Sequence, residues 1–405
     1  MNNDALEQIL HDWINEGPER GRVEALERAL AATHRTDQVR RWRQPRWPAR
    51  GFTRMTTFAT PAVAVIAALA IAVVGFTVVP RFGGAGAPQP TPGQALVSQV
   101  QQVWTTNQAV AVAIQRQDPT DTGRYYWRAV TYDQIGLKGW TVSNPTTILR
   151  QPGTALLEGL ADATDVAGLR SVTFTVTPRD FHAPTILAPG TPVEVDEATR
   201  LTHVGAAGYL AMLQRDGGSG SYTVTAMAQP PVGAEGGLTQ AELRVAGTAY
   251  PQEIRDLYLH VAPGSIGANA RKLQDKVRAE AASSAPFDLA SGIVAELHSP
   301  TYTYDTDVRD LDCTTLSTAE CFATYKRGFC QHYASTMAVL LRDLGVPARI
   351  AEGFLPGTVD RNSGIETIPM SSAHAWVEVY FPGHGWVMFD PTGGNRSQVE
   401  LLPPG

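Results

Sequence analysis

One stretch limits what this chain can be. No charged residue occurs between Arg54 and Arg81, and within "MTTFATPAVAVIAALAIAVVGFTVVP" the segment Phe58–Val79 is strongly apolar throughout. As a helix those residues span about 33 Å, enough to cross a hydrocarbon core of about 30 Å. Pro61 falls near the start, where a missing amide donor costs little. A buried helix of a water-soluble core rarely runs so long without a charge, so residues 55–80 are expected to form a single transmembrane helix.

The flanks orient it. Residues 35–54, "RTDQVRRWRQPRWPARGFTR", hold seven Arg and one Asp, with Trp42 and Trp47 among them, while the far side offers Arg81 and then a neutral stretch. Basic flanks stay inside and tryptophans favour the interface, which predicts a cytoplasmic N-terminus and an extracytoplasmic remainder. "GAGA" at 84–87 resembles a signal-peptide cleavage site. The fifty-four residues ahead of the span are long for a signal peptide and favour a retained anchor.

Charge narrows the partners. The net charge of −6 divides into eleven Arg against eight Asp/Glu in 1–81, and twenty-two Lys/Arg against thirty-one Asp/Glu in 82–405. A region net acidic by nine is a poor match for nucleic acid. The arginine run beside the span reads as a topology signal instead.

Residues 1–54 carry two short amphipathic patterns parted by Gly17-Pro18, followed by the basic run. This segment is a candidate dock for a cytoplasmic partner. "RFGGAGAPQPTPGQ" makes 81–95 a Gly/Pro-rich linker. Residues 96–238 are expected to be a β-rich, sandwich-like domain. "QAVAVAIQ", "YYWRAVTYD", "GWTVS", "SVTFTVTP" and "GSYTVTAMA" are short β-branched or aromatic runs separated by turn formers. From 239 to 405 the pattern is helical and then strand-like. "NARKLQDKVRAEA" and "DLASGIVAELHS" read as amphipathic helices, "PTYTYDTDV" as an extended segment, and "CQHYASTMAVLLRDLG" as a helix stopped by Gly345 and Pro347. "PARIAEGF", "SAHAWVEVYF" and "GWVMFDPT" follow as strands, an α+β layout.

The second half also carries the chemistry. Cys330, in "KRGFCQHYAS", is expected in the first turn of its helix, where the helix dipole favours a thiolate. A thiolate nucleophile requires an imidazole base, and the base an orienting carboxylate. His374 and Asp390 are the candidates. A three-residue hairpin loop at 381–383 pairs residues whose numbers sum to 764 and sets His374 directly opposite Asp390. A two-residue loop at Gly383-His384 sums to 767 and parts the two side chains. Glu378, on the His374 face, is a second candidate orienter. His332 lies about 200° around the helix from Cys330 and reads as packing, and His384 as a turn residue. Cys313 and Cys321 are either a loop disulfide or a free pair. Asp305, Asp307, Asp310 and Asp312 lack a full calcium-loop pattern and read as a solvated acidic loop.

These motifs in this order, "RGFCQHYASTMAVLLRDLGVPARIAEGF" and "SAHAWVEVYFPGHGWVMFDPT", resemble the core of the bacterial transglutaminase-like superfamily, particularly its membrane-tethered members. The resemblance is strong over about 325–393 and weaker back to about 245. "RYYWRAVTYDQIGLKGWTV" (124–142) also resembles the β-domain that precedes that core. The resemblance implies a papain-like fold, so the expected class is α+β: a transglutaminase core behind an all-β domain and one N-terminal membrane helix. It implies a Cys330–His374–Asp390 triad that transfers acyl groups from protein or peptide amides through a thioester on Cys330. No cofactor or metal is called for. One donor to the oxyanion is the Cys330 amide, and the sequence does not identify a second. A cysteine peptidase on the same fold and a non-catalytic envelope binding module are the alternatives.

Overall fold

The computed structural model describes residues 109–161, 169–218 and 220–393. The expected N-terminal helices, membrane span and linker lie outside them. Among the described residues no helix is long and apolar enough to cross a membrane.

The first half is all strand. In order these are β1 (Val110–Arg116), β2 (Trp127–Tyr132), β3 (Gln134–Ile135), β4 (Trp140–Thr141), β5 (Thr146–Arg150), β6 (Arg170–Pro178), β7 (Thr191–Val195), β8 (Thr199–Val204), β9 (Tyr209–Arg215) and β10 (Tyr222–Ala228). Four helices follow: α1 (Gln240–Val245), α2 (Gln252–Tyr258), α3 (Ala268–Glu280) and α4 (Pro286–Leu297). Then come β11 (Thr303–Tyr304), α5 (Thr318–Tyr325), β12 (Arg327–Gly328) and α6 (Cys330–Asp343). The described residues close with β13 (Ala348–Phe354), β14 (Thr358–Val359), β15 (Ile365–Pro369), β16 (Ala373–Phe381) and β17 (Gly385–Phe389). Each of the five β runs singled out above contains a strand. Pro286 occupies the first turn of α4, where its missing amide has no helical partner to lose.

The two halves interleave. One seven-stranded sheet has the order β17-β16-β13-β2-β9-β8-β5, and a six-stranded sheet the order β14-β15-β1-β6-β10-β7. β13 is bonded antiparallel to β16 on one side and β2 on the other, and β15 lies between β14 and β1. The sheets therefore run across the 238/239 division in the chain. Strand alternation then divides the core. Ile350, Ala375, Val377, Val379 and Phe381 pack with α4, α5 and α6 in one apolar cluster. Trp127, Phe354 and Ala373 pack with Val112, Phe174 and Val224 in the cluster between the sheets. The architecture is mixed α/β, a sandwich whose larger sheet also floors the helical part.

Candidate active site

Gly328 and His332 explain how α6 begins. A Cβ on Gly328 would stand 2.8 Å from His332 Cβ and Cγ, so only glycine admits the imidazole there. His332 packs edge-on against Phe329 at 4.4 Å between ring centroids, and the Phe329 amide donates to its Nδ1 at 3.4 Å. Burial pushes His332 down to about 4, and a neutral ring can accept that bond. His332 is a packing and capping residue, as its angular position on the helix suggested. Cys330 is the first residue of α6, buried and not disulfide-bonded. No acidic residue occupies the first turn to oppose the positive end of the helix dipole.

The base and orienter come from the neighbouring hairpin. β16 and β17 pair Val377 with Phe389, Glu378 with Met388 and Phe381 with Gly385, a register summing to 766. The anticipated 764 register is corrected by two residues, because the loop is Pro382-Gly383-His384 with Gly383 and Gly385 both at positive φ. A shift of two preserves the face. His374 and Asp390 are diagonal neighbours instead of direct opposites, and His374 Nε2 still lies 2.8 Å from Asp390 Oδ2.

Asp390 is held on every side. The Tyr126 hydroxyl donates to Oδ2 at 2.8 Å, and the Thr392 amide donates to Oδ1 at 2.9 Å. His298 Nε2 lies 3.1 Å from its backbone carbonyl. Burial opposes its charge, but His374 and these donors win and hold Asp390 at about 2. Burial likewise opposes an imidazolium at His374. The Asp390 carboxylate, with further contributions from a hydrogen bond and charge at Cys330, carries His374 up to about 9. Nε2 is committed to Asp390, so Nδ1 is the nitrogen that remains for Cys330. The structure thus brings Cys330, His374 and Asp390 together, with the imidazole between sulfur and carboxylate. This arrangement suits a thiolate–imidazolium pair, which can attack a carbonyl and return a proton to a leaving nitrogen.

Glu378, the other carboxylate on that face, has a different setting. Arg128 Nη1 is 3.1 Å from both its oxygens and Arg349 Nε is 2.7 Å from Oε2, all of them buried. Burial opposes its charge, yet the two guanidinium groups hold it at about 2. It serves a charge network rather than the imidazole.

The remaining residues raised from sequence fall at the periphery. Cys313 and Cys321 form a disulfide, with Cα atoms 5.5 Å apart. Asp307 pairs with Arg309, and Asp305 and Asp310 pair with Arg327. No group of three or more His, Cys, Asp or Glu suited to a metal ion occurs among the described residues. His384 lies in the β16–β17 turn, its amide donating to the Phe381 carbonyl at 3.0 Å.

Sequence reasoning missed Tyr126, whose ring meets that of Trp376 edge-to-face at 5.1 Å. Tyr126 is 264 positions from Asp390. Its one signal is its place beside Trp127 in the β-run "YYWRAVTYD", which says nothing about which strand it will meet.

The chain is similar to several known proteins. The model of the transglutaminase-like superfamily matches residues 271–391, and that of the TgpA N-terminal domain matches 27–233. The uncharacterized protein YebA of Bacillus subtilis (strain 168) is 27% identical over 289 residues, which are 69% of this chain and 38% of YebA. A protein-glutamine gamma-glutamyltransferase of Pseudomonas aeruginosa is 42% identical over 67 residues, 16% of this chain and 10% of that protein. The matches thus span well under half the length of either relative. The crystal structure of the periplasmic domain of TgpA from Pseudomonas aeruginosa superposes with a TM-score of 0.53 at 21% identity, over 77% of this chain and 94% of that domain.

Proposed function

The chain belongs to the transglutaminase-like superfamily, and from that premise we propose that it is a membrane-anchored, extracytoplasmic cysteine acyltransferase acting on protein or peptide amides. The observation that carries this reading is the 2.8 Å His374–Asp390 bond, with Cys330, a cysteine outside the disulfide, at the head of a helix. The Cys330 thiolate attacks the carboxamide carbon and forms the C–S bond, with the Cys330 amide donating to the developing oxyanion. His374 then protonates the leaving nitrogen, the C–N bond breaks, and ammonia departs from a thioester. In the second half His374 takes a proton from an incoming amine or water. The new C–N or C–O bond forms, the C–S bond breaks, and the thiolate returns. Asp390 holds the ring throughout.

The apolar segment 55–80 supports the anchor, and its arginine-rich flank supports an N-terminus inside and a site outside. The relatives, a glutamyltransferase and a periplasmic domain, point the same way. Substrates are then proteins or peptides of the cell envelope, and residues 1–54 are left for a cytoplasmic partner. The test is incorporation of a fluorescent primary amine into a glutamine-containing peptide, with ammonia release measured in parallel. Both signals are expected, and both vanish in Cys330→Ala. Cleavage of the peptide backbone without ammonia release would replace transfer by peptidase action.

A further inference from the structure

The residue after the candidate nucleophile is tied to the sheet that carries the candidate base. Gln331 Nε2 donates to Glu352 Oε1 at 2.9 Å, and the Tyr132 hydroxyl donates to Glu352 Oε2 at 2.9 Å. Glu352 lies on β13 opposite Ala375, and the next residue, Gly353, lies opposite His374. One side chain therefore bridges the first turn of α6 and the strand register that places the imidazole. A second tie lies on the same flank. Trp140 Nε1 donates to Ser335 Oγ at 2.8 Å, and Ser335, four residues beyond Gln331, shares its side of the helix. Tyr132 and Trp140 meet at 5.6 Å between ring centroids, closing the flank from the β3–β4 side.

A carboxylate buried in such a place is costly, and burial does raise Glu352 above the ordinary glutamate range despite its two donors. Neither donor is a cation, so no ion pair repays that cost, in contrast to Glu378 between its two arginines. A leucine would pack there more cheaply. What Glu352 offers is two acceptor oxygens in one plane, which fix α6 against β2 and β13 at once.

We propose that Glu352 is a positioning residue for the reaction, acting through Gln331 to hold Cys330 at the distance from His374 at which the two can share a proton. The proposal rests on the acyltransferase reading only for the reaction's identity, because the contact it sets can be read without any substrate.

The test is the rate of Cys330 alkylation by iodoacetamide at about pH 6 in the full-length chain, compared with a small free thiol that titrates near 8.5. The sign separates the two roles Glu352 can have. A negative charge near a thiol discourages the thiolate, so removing a mere charge accelerates alkylation. Removing the clamp loosens the Cys330–His374 pair and slows it. Glu352→Ala is expected to slow alkylation about tenfold and to lower kcat with little change in KM. Glu352→Gln keeps an acceptor for Tyr132 and an amide to pair with Gln331, and is expected to hold the wild-type rate or exceed it. Gln331→Leu cuts the same tie from the helix side and is expected to reproduce the loss, which covers an alanine variant that fails to fold. Alkylation in Glu352→Ala that is unchanged or faster overturns the proposal, as does an equal loss in Glu352→Gln. Slowed alkylation with no amine incorporation in the wild type would uphold the clamp while sinking the acyltransferase reading.

Discussion

His374 Nε2 and Asp390 Oδ2 are 2.8 Å apart although the two residues are not paired across their strands. The diagonal contact occupies Nε2 and leaves Nδ1 as the ring nitrogen available to Cys330. Asp390→Asn keeps the shape but replaces an acceptor oxygen facing Nε2 with a group that also donates and carries no charge. Turnover in the amine-incorporation assay is expected to fall at least about a hundredfold, with KM for the peptide nearly unchanged.

The pH profile follows from the same pair. Burial by itself lowers His374, but Asp390 and Cys330 together raise it to about 9. Because the folded value exceeds the ordinary 6.5, the stabilisation from the imidazolium is full below about pH 6.5 and lost as pH rises through about 9. The same deprotonation removes the acid that releases ammonia. Turnover is expected to fall on the alkaline side with a midpoint near 9, and the thermal midpoint to fall over the same range. His374→Ala removes both dependences.

Tyr126→Phe deletes a hydroxyl and leaves the ring against Trp376. Asp390 then loses a donor that spreads its charge, and more of that charge faces His374. A loss of roughly tenfold in kcat is expected, with the alkaline limb moving above that of the wild type. An unchanged limb would show that Tyr126 does not tune the pair.

Glu378 is expected to matter for stability more than chemistry. Glu378→Ala leaves Arg128 and Arg349 buried side by side, a loss of roughly 3–5 kcal/mol in denaturant unfolding. Its folded value of about 2 lies below the ordinary 4.5, so its stabilisation is present above that value and lost as pH falls through about 2. Arg349 also lies over the Trp386 ring at 4.1 Å, so Arg349→Lys is not a neutral exchange.

Cys313–Cys321 ties the loop ahead of α5 to the first turn of that helix. Replacing both residues by serine is expected to cost roughly 2–3 kcal/mol in denaturant unfolding on a chain-entropy basis. Cys330 would then be the sole cysteine, which simplifies its labelling.

The site was legible where its determinants are local. Gly328, Cys330 and Gly345 mark a helix and its ends within one short stretch, and of the two hairpin loops weighed the three-residue one keeps His374 and Asp390 on one face. The three-residue loop length was anticipated, but its position was set one residue early and the register missed by two, because that position depends on backbone freedom at Gly383 and Gly385, which sequence spacing does not display. Tyr126, Arg128, Tyr132 and Glu352 were not legible. They reach the site only through the pairing of β2 with β13, more than two hundred positions apart in the chain. The same pairing runs the sheet past the chain division at 238/239. Thr199–Val204, among the strands not anticipated, carries Arg200, Thr202 and His203 and has no apolar run to announce it.

The most direct measurement is a covalent one. The full-length chain is mixed with a glutamine-containing peptide, quenched in acid, digested, and the Cys330 fragment weighed by mass spectrometry. The account predicts a fragment heavier by the peptide less one ammonia, cleared by added primary amine and absent in Cys330→Ala. An unmodified Cys330 fragment under conditions where the protein releases ammonia from the peptide would contradict it.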